Sequence, residues 1–215
     1  MNEFTQFVDL ASERLGGYVV VANDEFFAPK ENLLKHAKPI FIEGKYTDRG
    51  KWMDGWETRR RRTPGCDWCI VRLGMPGIVR GAVVDTSFFT GNYPARFSLE
   101  GCDLGGPAPY KDEKKKLTAA ATHWEEIVPE TVVKGDAVNP VVVEHAGRFT
   151  HVRFKIYPDG GVARLRLYGE VVPSARGFAK RELDLAAVEN GGRMIMTSDQ
   201  FYSEPLNMLD RKSVV

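Results

Sequence analysis

Thr150 to Gly169 reads THVRFKIYPDGGVARLRLYG, and this stretch decides the fold. Val152, Phe154 and Ile156 fall on one face of an extended chain while His151, Arg153 and Lys155 take the other, the period-2 pattern of a strand with one buried side. Pro158-Asp159-Gly160-Gly161 is a strong turn. After it, Ala163, Leu165 and Leu167 alternate with Arg164 and Arg166. Two alternating runs around such a turn predict a hairpin. Strands with one polar face belong to antiparallel sheets, and many short ones predict an all-β sandwich.

Working outward, Trp68–Leu73 and Ile78–Thr86 read as two more strands joined by a turn at Pro76-Gly77, and Ala95–Cys102 alternates as a further strand. Tyr18–Ala22 reads as a buried strand. Residues 5–15 have loose helical spacing and end at Gly16-Gly17, a helix stop signal. Residues 30–36 predict one helical turn, and Pro39–Ile42 a short strand. Residues 103–118, turn-forming and then charged, predict an exposed excursion.

With 30 basic and 29 acidic residues, the chain has no global field to recruit nucleic acid or an anionic membrane. No apolar run approaches the ~20 residues that span a bilayer, and the N-terminus lacks the basic start and apolar core of a signal peptide. Three cysteines, Cys66, Cys69 and Cys102, are an odd number and form no disulfide framework, so a reducing cytoplasm is expected. Cys66 and Cys69 have the spacing of half a zinc site, but no second such pair follows, and the four histidines are scattered. Neither a metal nor a cofactor is expected. Phosphate-binding glycine loops and nucleophile elbows are absent from the sequence.

The polar segment Gly44–Trp68, GKYTDRGKWMDGWETRRRRTPGCDW, stands apart from the strands. It holds Trp52, Trp56 and Trp68, acids that include Asp48, Asp54 and Glu57, and the run Arg59-Arg60-Arg61-Arg62. Loops on a rigid scaffold concentrate function, so it is the first candidate for a site. The rival reading is a solvated charge run, with Asp54 and Glu57 in salt bridges to the arginines. The tryptophans read as packing residues.

An internal repeat adds a second layer of organisation. Residues 9–34 match residues 184–209 without a gap at an offset of 175, with nine identities in twenty-six positions. Asp9/Asp184, Gly16/Gly191, Gly17/Gly192, Asp24/Asp199, Phe26/Phe201 and Asn32/Asn207 are among them. Residues 1–175 therefore read as one complete unit. Residues 182–215 read as the start of a second copy that stops short of an arginine loop, with its apolar side chains exposed or poorly docked.

The segments LASERLGG (10–17), DEFFAP (24–29), GKYTDRGKWMDGWETRRRR (44–62), DTSFFTGNYP (85–94) and YPDGGVARLRLYG (157–169) together resemble the allantoicase (allantoate amidinohydrolase) family. The resemblance departs at Cys66, where the family usually carries histidine. It implies two repeats, each a jelly-roll β-sandwich of the galactose-binding type with short helical segments. It also implies hydrolysis of allantoate to ureidoglycolate and urea in purine breakdown, and a homo-oligomer is expected.

Such a substrate carries a carboxylate and two ureido groups on one carbon. A forked guanidinium meets a carboxylate through two parallel bonds, which makes Arg59, Arg60 and Arg61 candidate substrate ligands. Alternate arginines of an extended segment point to opposite sides, and the sequence leaves open which pair faces the substrate and which braces the loop. Proton transfer falls to carboxylates in contrasting environments: Asp54, Glu57 and Asp85, with Thr86 and Asn92 offering hydrogen bonds to the ureido groups. Two other classes compete. One is a non-catalytic sandwich module binding a small polar or carbohydrate ligand. The other, nucleic-acid binding through the arginine run, is disfavoured by the near-neutral charge.

Overall fold

A computed structural model describes residues 3–105, 111–173, 184–199, 201–202 and 205–209. Twelve strands follow in chain order among these residues. They are β1 (Val8–Asp9), β2 (Tyr18–Ala22), β3 (Tyr46–Thr47), β4 (Gly50–Lys51), β5 (Trp56–Glu57), β6 (Asp67–Asp85), β7 (Arg96–Cys102), β8 (Glu125–Val132), β9 (Val138–Val142), β10 (Arg148–Tyr157), β11 (Gly161–Val162) and β12 (Arg164–Val171). One short helix, α1 (Glu113–Leu117), joins several 3-10 turns. All the pairings are antiparallel, and the architecture is the expected jelly-roll sandwich.

Strand β6 organises it. The two segments expected around a turn at Pro76-Gly77 form one nineteen-residue strand. Its first half pairs with β2 and β10, its second with β12 and β9. The change of partners marks the passage between layers. A Cβ at Gly77 would lie 2.1 Å from the Glu170 carbonyl oxygen, so the crossing demands glycine. Pro76 sits where the partners change and still accepts a bond from Val172 N, a place where its missing donor costs no ladder bond.

The predicted hairpin is likewise not formed. β10 pairs with β6 and β7, and β12 with β6 and β1. Residues 158–161 carry the chain from one layer to the other. Val152, Phe154 and Ile156 then meet Leu165 and Leu167 in one core, with Phe154 between Trp56 and Phe97. Alternation reports that one face is buried; it does not report which strand lies alongside.

Smaller expectations shift too. Residues 5–15 make two 3-10 turns and β1 rather than a helix, although Gly16 does terminate the second turn at φ 88°. Only Val19 of β2 is buried. Residues 30–34 form the predicted single turn, whereas 39–42 are irregular. The excursion carries α1, whose Leu117 is buried; residues 106–110 lie outside the described residues.

The repeat has a local structural echo. A 3-10 turn, Val188–Asn190, ends at Gly191 with φ 96°, as Glu13–Leu15 ends at Gly16. A Cβ on Gly17 would fall 2.1 Å from the Ala11 carbonyl oxygen, and one on Gly192 1.9 Å from that of Ala186. Phe26–Phe27 and Phe201–Tyr202 both form edge-to-face pairs at 5.0 Å. Burial differs. Leu10 is fully buried while its counterpart Leu185 is 76 % exposed, and Ile195, Met196, Phe201 and Tyr202 are exposed as well. Ala187 and Val188 are buried.

Candidate functional site

Glu57 is held from both sides. It pairs with Gly161 of β11 and bridges Ala28, with backbone bonds in both directions. Its side chain is 8 % exposed, and Oε1 accepts Asn92 Nδ2 at 2.6 Å. No ion pair reaches Glu57 among the described residues, so burial pushes its carboxyl above the ordinary value, with the Asn92 bond only partly opposing that. Asn92 is itself fixed, its carbonyl accepting Gly161 N at 2.7 Å. The loop after β6 thus meets the 44–68 loop, and Phe88 stacks on Phe41 at 5.8 Å.

The arginine run resolves into two parities. Arg59 donates to Asp24 through its backbone N–H (3.0 Å) and Nε (2.7 Å). Burial would raise the Asp24 carboxyl, but the bonds from Phe26 N–H and Arg59 hold it below its usual range. Arg61 donates from Nη1 to the buried Asp67 at 2.7 Å, and its backbone N–H to Asp159 at 2.8 Å. Asn23 completes the brace on Asp67. Arg59 and Arg61 are therefore loop anchors. Arg60 and Arg62 are exposed, with no ion pair among the described residues.

The remaining candidates sit elsewhere. Asp54 is buried against Arg164, which donates Nη2 at 2.7 Å, and it also accepts Ile40 N at 3.1 Å. Desolvation would raise its pKa; the bonds from Arg164 and the Ile40 N–H, with the charges of Arg164 and Lys35, together outweigh that and lower it. A carboxylate so locked is a structural partner, not a proton shuttle. Asp85 ends β6 and binds the Ser87 N–H and hydroxyl at 2.8 and 2.6 Å. Thr86 is fully buried, donating to the Lys134 and Ala137 carbonyls; it braces the loop and is closed to ligand. Only Glu57 and Asn92 come together, under the arginine loop.

Sequence reading overlooked Asp24, Asp67 and Asp159, the anchors of that loop. It also placed Arg164 on the polar face of its strand, whereas the residue is 1 % exposed. The DEFF motif, present in both copies as D-x-F, was the available signal for Asp24. Trp56 is fully buried in the core, and Trp52 lies under Lys45 Nζ at 3.9 Å. Cys66, Cys69 and Cys102 are free thiols, and burial raises the Cys66 thiol. No cluster of three or more metal-ligating side chains occurs among the described residues, and no helix there is long and apolar enough to cross a membrane.

Known proteins resemble this chain in sequence and fold. Residues 8–172 match the family model described as Allantoicase repeat. A probable allantoicase from Burkholderia mallei is 46 % identical over 96 % of this chain and 59 % of its own length. One from Nocardia farcinica is 47 % identical over 96 % and 61 %. The crystal structure of allantoicase from Saccharomyces cerevisiae superposes with a TM-score of 0.77 at 35 % identity, covering 96 % of this chain and 62 % of that one. The chain thus spans about three fifths of the length of these relatives.

Proposed function

The chain belongs to the allantoicase family, and from that premise we propose that it takes part in the hydrolysis of allantoate to ureidoglycolate and urea. Glu57 carries the proposal. It is a buried carboxyl with no ion pair among the described residues, hydrogen-bonded to one amide, and it precedes the exposed Arg60 and Arg62 closely in the chain. Burial favours its protonated form, which is what a general acid requires.

The exposed guanidinium groups of Arg60 and Arg62 bind the substrate carboxylate through paired bonds. The Asn92 side chain gives its N–H to Glu57, leaving its Oδ1 to accept a ureido N–H. Glu57 delivers its proton to the ureido nitrogen as the bond from that nitrogen to the central carbon breaks, and neutral urea departs. The Glu57 carboxylate then takes a proton from the water whose oxygen adds to that carbon. Ureidoglycolate results, and Glu57 is protonated again.

Residues 182–215 are, on this proposal, the opening of a second repeat, a reading supported by the matched turns and aromatic pairs. A homo-oligomer in a reducing, cytoplasmic compartment completes the picture; light scattering tests the first part. The decisive assay follows urea release from allantoate by the purified protein. Turnover that disappears in Glu57→Gln is expected. Equal turnover in that variant removes Glu57 from the chemistry, and an absence of turnover by the unaltered protein defeats the hydrolase reading for this chain.

A further inference from the structure

The face of β12 that carries Arg164 and Arg166 is largely covered, Arg164 being buried and Arg166 half-buried. A cavity of about 540 Å³ lies over it, within the range of about 300–1,000 Å³ typical of small-molecule sites. β12 and the end of β6 supply its floor, including Val83, Asp85 and Tyr168. One wall is the N-terminal segment with Asp9 and Arg14, another is the turn His36–Pro39, and Val188 and Asn207 of the second repeat segment close over it. Neither Glu57 nor Asn92 lines this space.

Charge and shape narrow what it accepts. Four cationic side chains (Arg14, Lys38, Arg164 and Arg166) line the cavity against two carboxylates, Asp9 and Asp85. Arg164 is matched by Asp54 and Arg166 by Asp9. Lys38 is exposed, and no ion pair holds it among the described residues. An ammonium group at the mouth of a partly enclosed, low-dielectric space attracts an anion more strongly than one on open surface. The two carboxylates oppose a doubly charged phosphate more than a singly charged acid. Leu15, Pro39, Val83 and Val188 offer apolar contact to a short carbon body, while Ser12, Tyr168 and Asn207 line the wall with polar groups.

We propose that this cavity is a second ligand site, separate from the Glu57 site, which binds a small organic monocarboxylate with Lys38 as the cation at its mouth. The proposal stands independently of the hydrolytic reading, because neither uses the other's residues.

Hydantoate (N-carbamoylglycine), a monocarboxylate with one ureido group, is the probe, titrated calorimetrically into the intact protein. Wild type and Glu57→Gln are expected to bind it alike. Lys38→Glu, a change at an exposed side chain, is expected to weaken binding about tenfold or more, since a charge-assisted bond becomes a repulsion. Val83→Phe, which fills the floor without altering charge, is expected to abolish it. Bound hydantoate is also expected to slow tryptic cleavage at Arg193, because Val188 and Asn207 on either side of that bond close over the cavity. The proposal is overturned if wild type does not bind hydantoate, or if Lys38→Glu and Val83→Phe bind it as wild type does. It is equally overturned if Glu57→Gln alone removes binding, which places the ligand in the other site.

Discussion

Asn92 Nδ2 and Glu57 Oε1 lie 2.6 Å apart, joining two loops separated by 35 positions in the chain. The bond is the only one to the Glu57 carboxyl among the described residues. It therefore fixes the direction of Glu57 and partly opposes the upward push that burial gives its pKa. Glu57→Gln is expected to lower urea release by about 10²–10⁴, the usual worth of a positioned acid–base group. Asn92→Ala should lower it less and shift its pH profile upward, because the bond that favours the carboxylate is gone.

The same carboxyl makes a prediction about stability. Its folded pKa is raised, so the folded state holds the proton more tightly than the unfolded chain does. Its contribution is fully present below the unfolded value of about 4.3 and is lost as pH rises through the folded value. Denaturant titrations of wild type and Glu57→Gln across this window should converge at low pH and separate above it, with the variant gaining relative stability. Parallel curves would show that Glu57 titrates normally.

The arginine parities predict a split between binding and stability. Arg60→Ala and Arg62→Ala should raise KM for allantoate while leaving the unfolding midpoint within experimental error, as exposed surface changes usually do. Arg61→Ala leaves the buried Asp67 without its cation. It should cost about 1.5–3 kcal/mol, the scale of a hydrogen bond to a charged group. Kinetics and chemical denaturation on the three variants distinguish the roles.

Much of this fold was legible because alternation, turns and an internal repeat are local signals. β10 and β12 were located correctly from Val152–Ile156 and Leu165–Leu167. Their neighbours were not, since a strand buried on one face looks the same whether its partner in sequence lies beside it or across the core. Pro76-Gly77 was misread for a related reason: a proline and a glycine mark a turn in isolation, but here they serve a strand changing layers. In the candidate site, Glu57 and Asn92 could be named from residue type, and the structure brings them together. That Arg59 and Arg61 are tied down depended on Asp24, Asp67 and Asp159, whose approach is a property of the assembled loops.

Arg164 and Asp54 illustrate what such tertiary pairing is worth. Both are almost fully buried, and Arg164 also donates to the carbonyls of Ala37, Asp54 and Ala163. Asp54→Ala strands a buried guanidinium and should cost about 3–5 kcal/mol, on the order of 10 °C in Tm for a chain of this length. Replacing both partners with apolar residues, Asp54→Leu with Arg164→Met, should cost less than the single change, because no uncompensated charge remains. If the double variant is the less stable, the pair is a net stabiliser and this account fails.

His151 supplies the clearest pH test away from the site. It is fully buried on β10, with Nε2 2.9 Å from Glu113 Oε1 and Nδ1 2.8 Å from the Thr150 hydroxyl. Glu113 is also bonded by the Tyr18 hydroxyl and lies near Arg72, so the cluster ties α1 to β2, β6 and β10. Desolvation pushes the imidazole below its ordinary pKa, overcoming the pull of Glu113, with Arg72 adding to the depression. In the window between that lowered value and the unfolded value of about 6.5, the unfolded chain takes up a proton that the folded protein refuses, so stability falls as pH drops. Thermal unfolding from pH 8 to pH 5 should show this loss in wild type and a smaller one in His151→Gln. Amide exchange in residues 113–117 should rise over the same range if α1 is released with it, and an unchanged rate there would confine the effect to the strand.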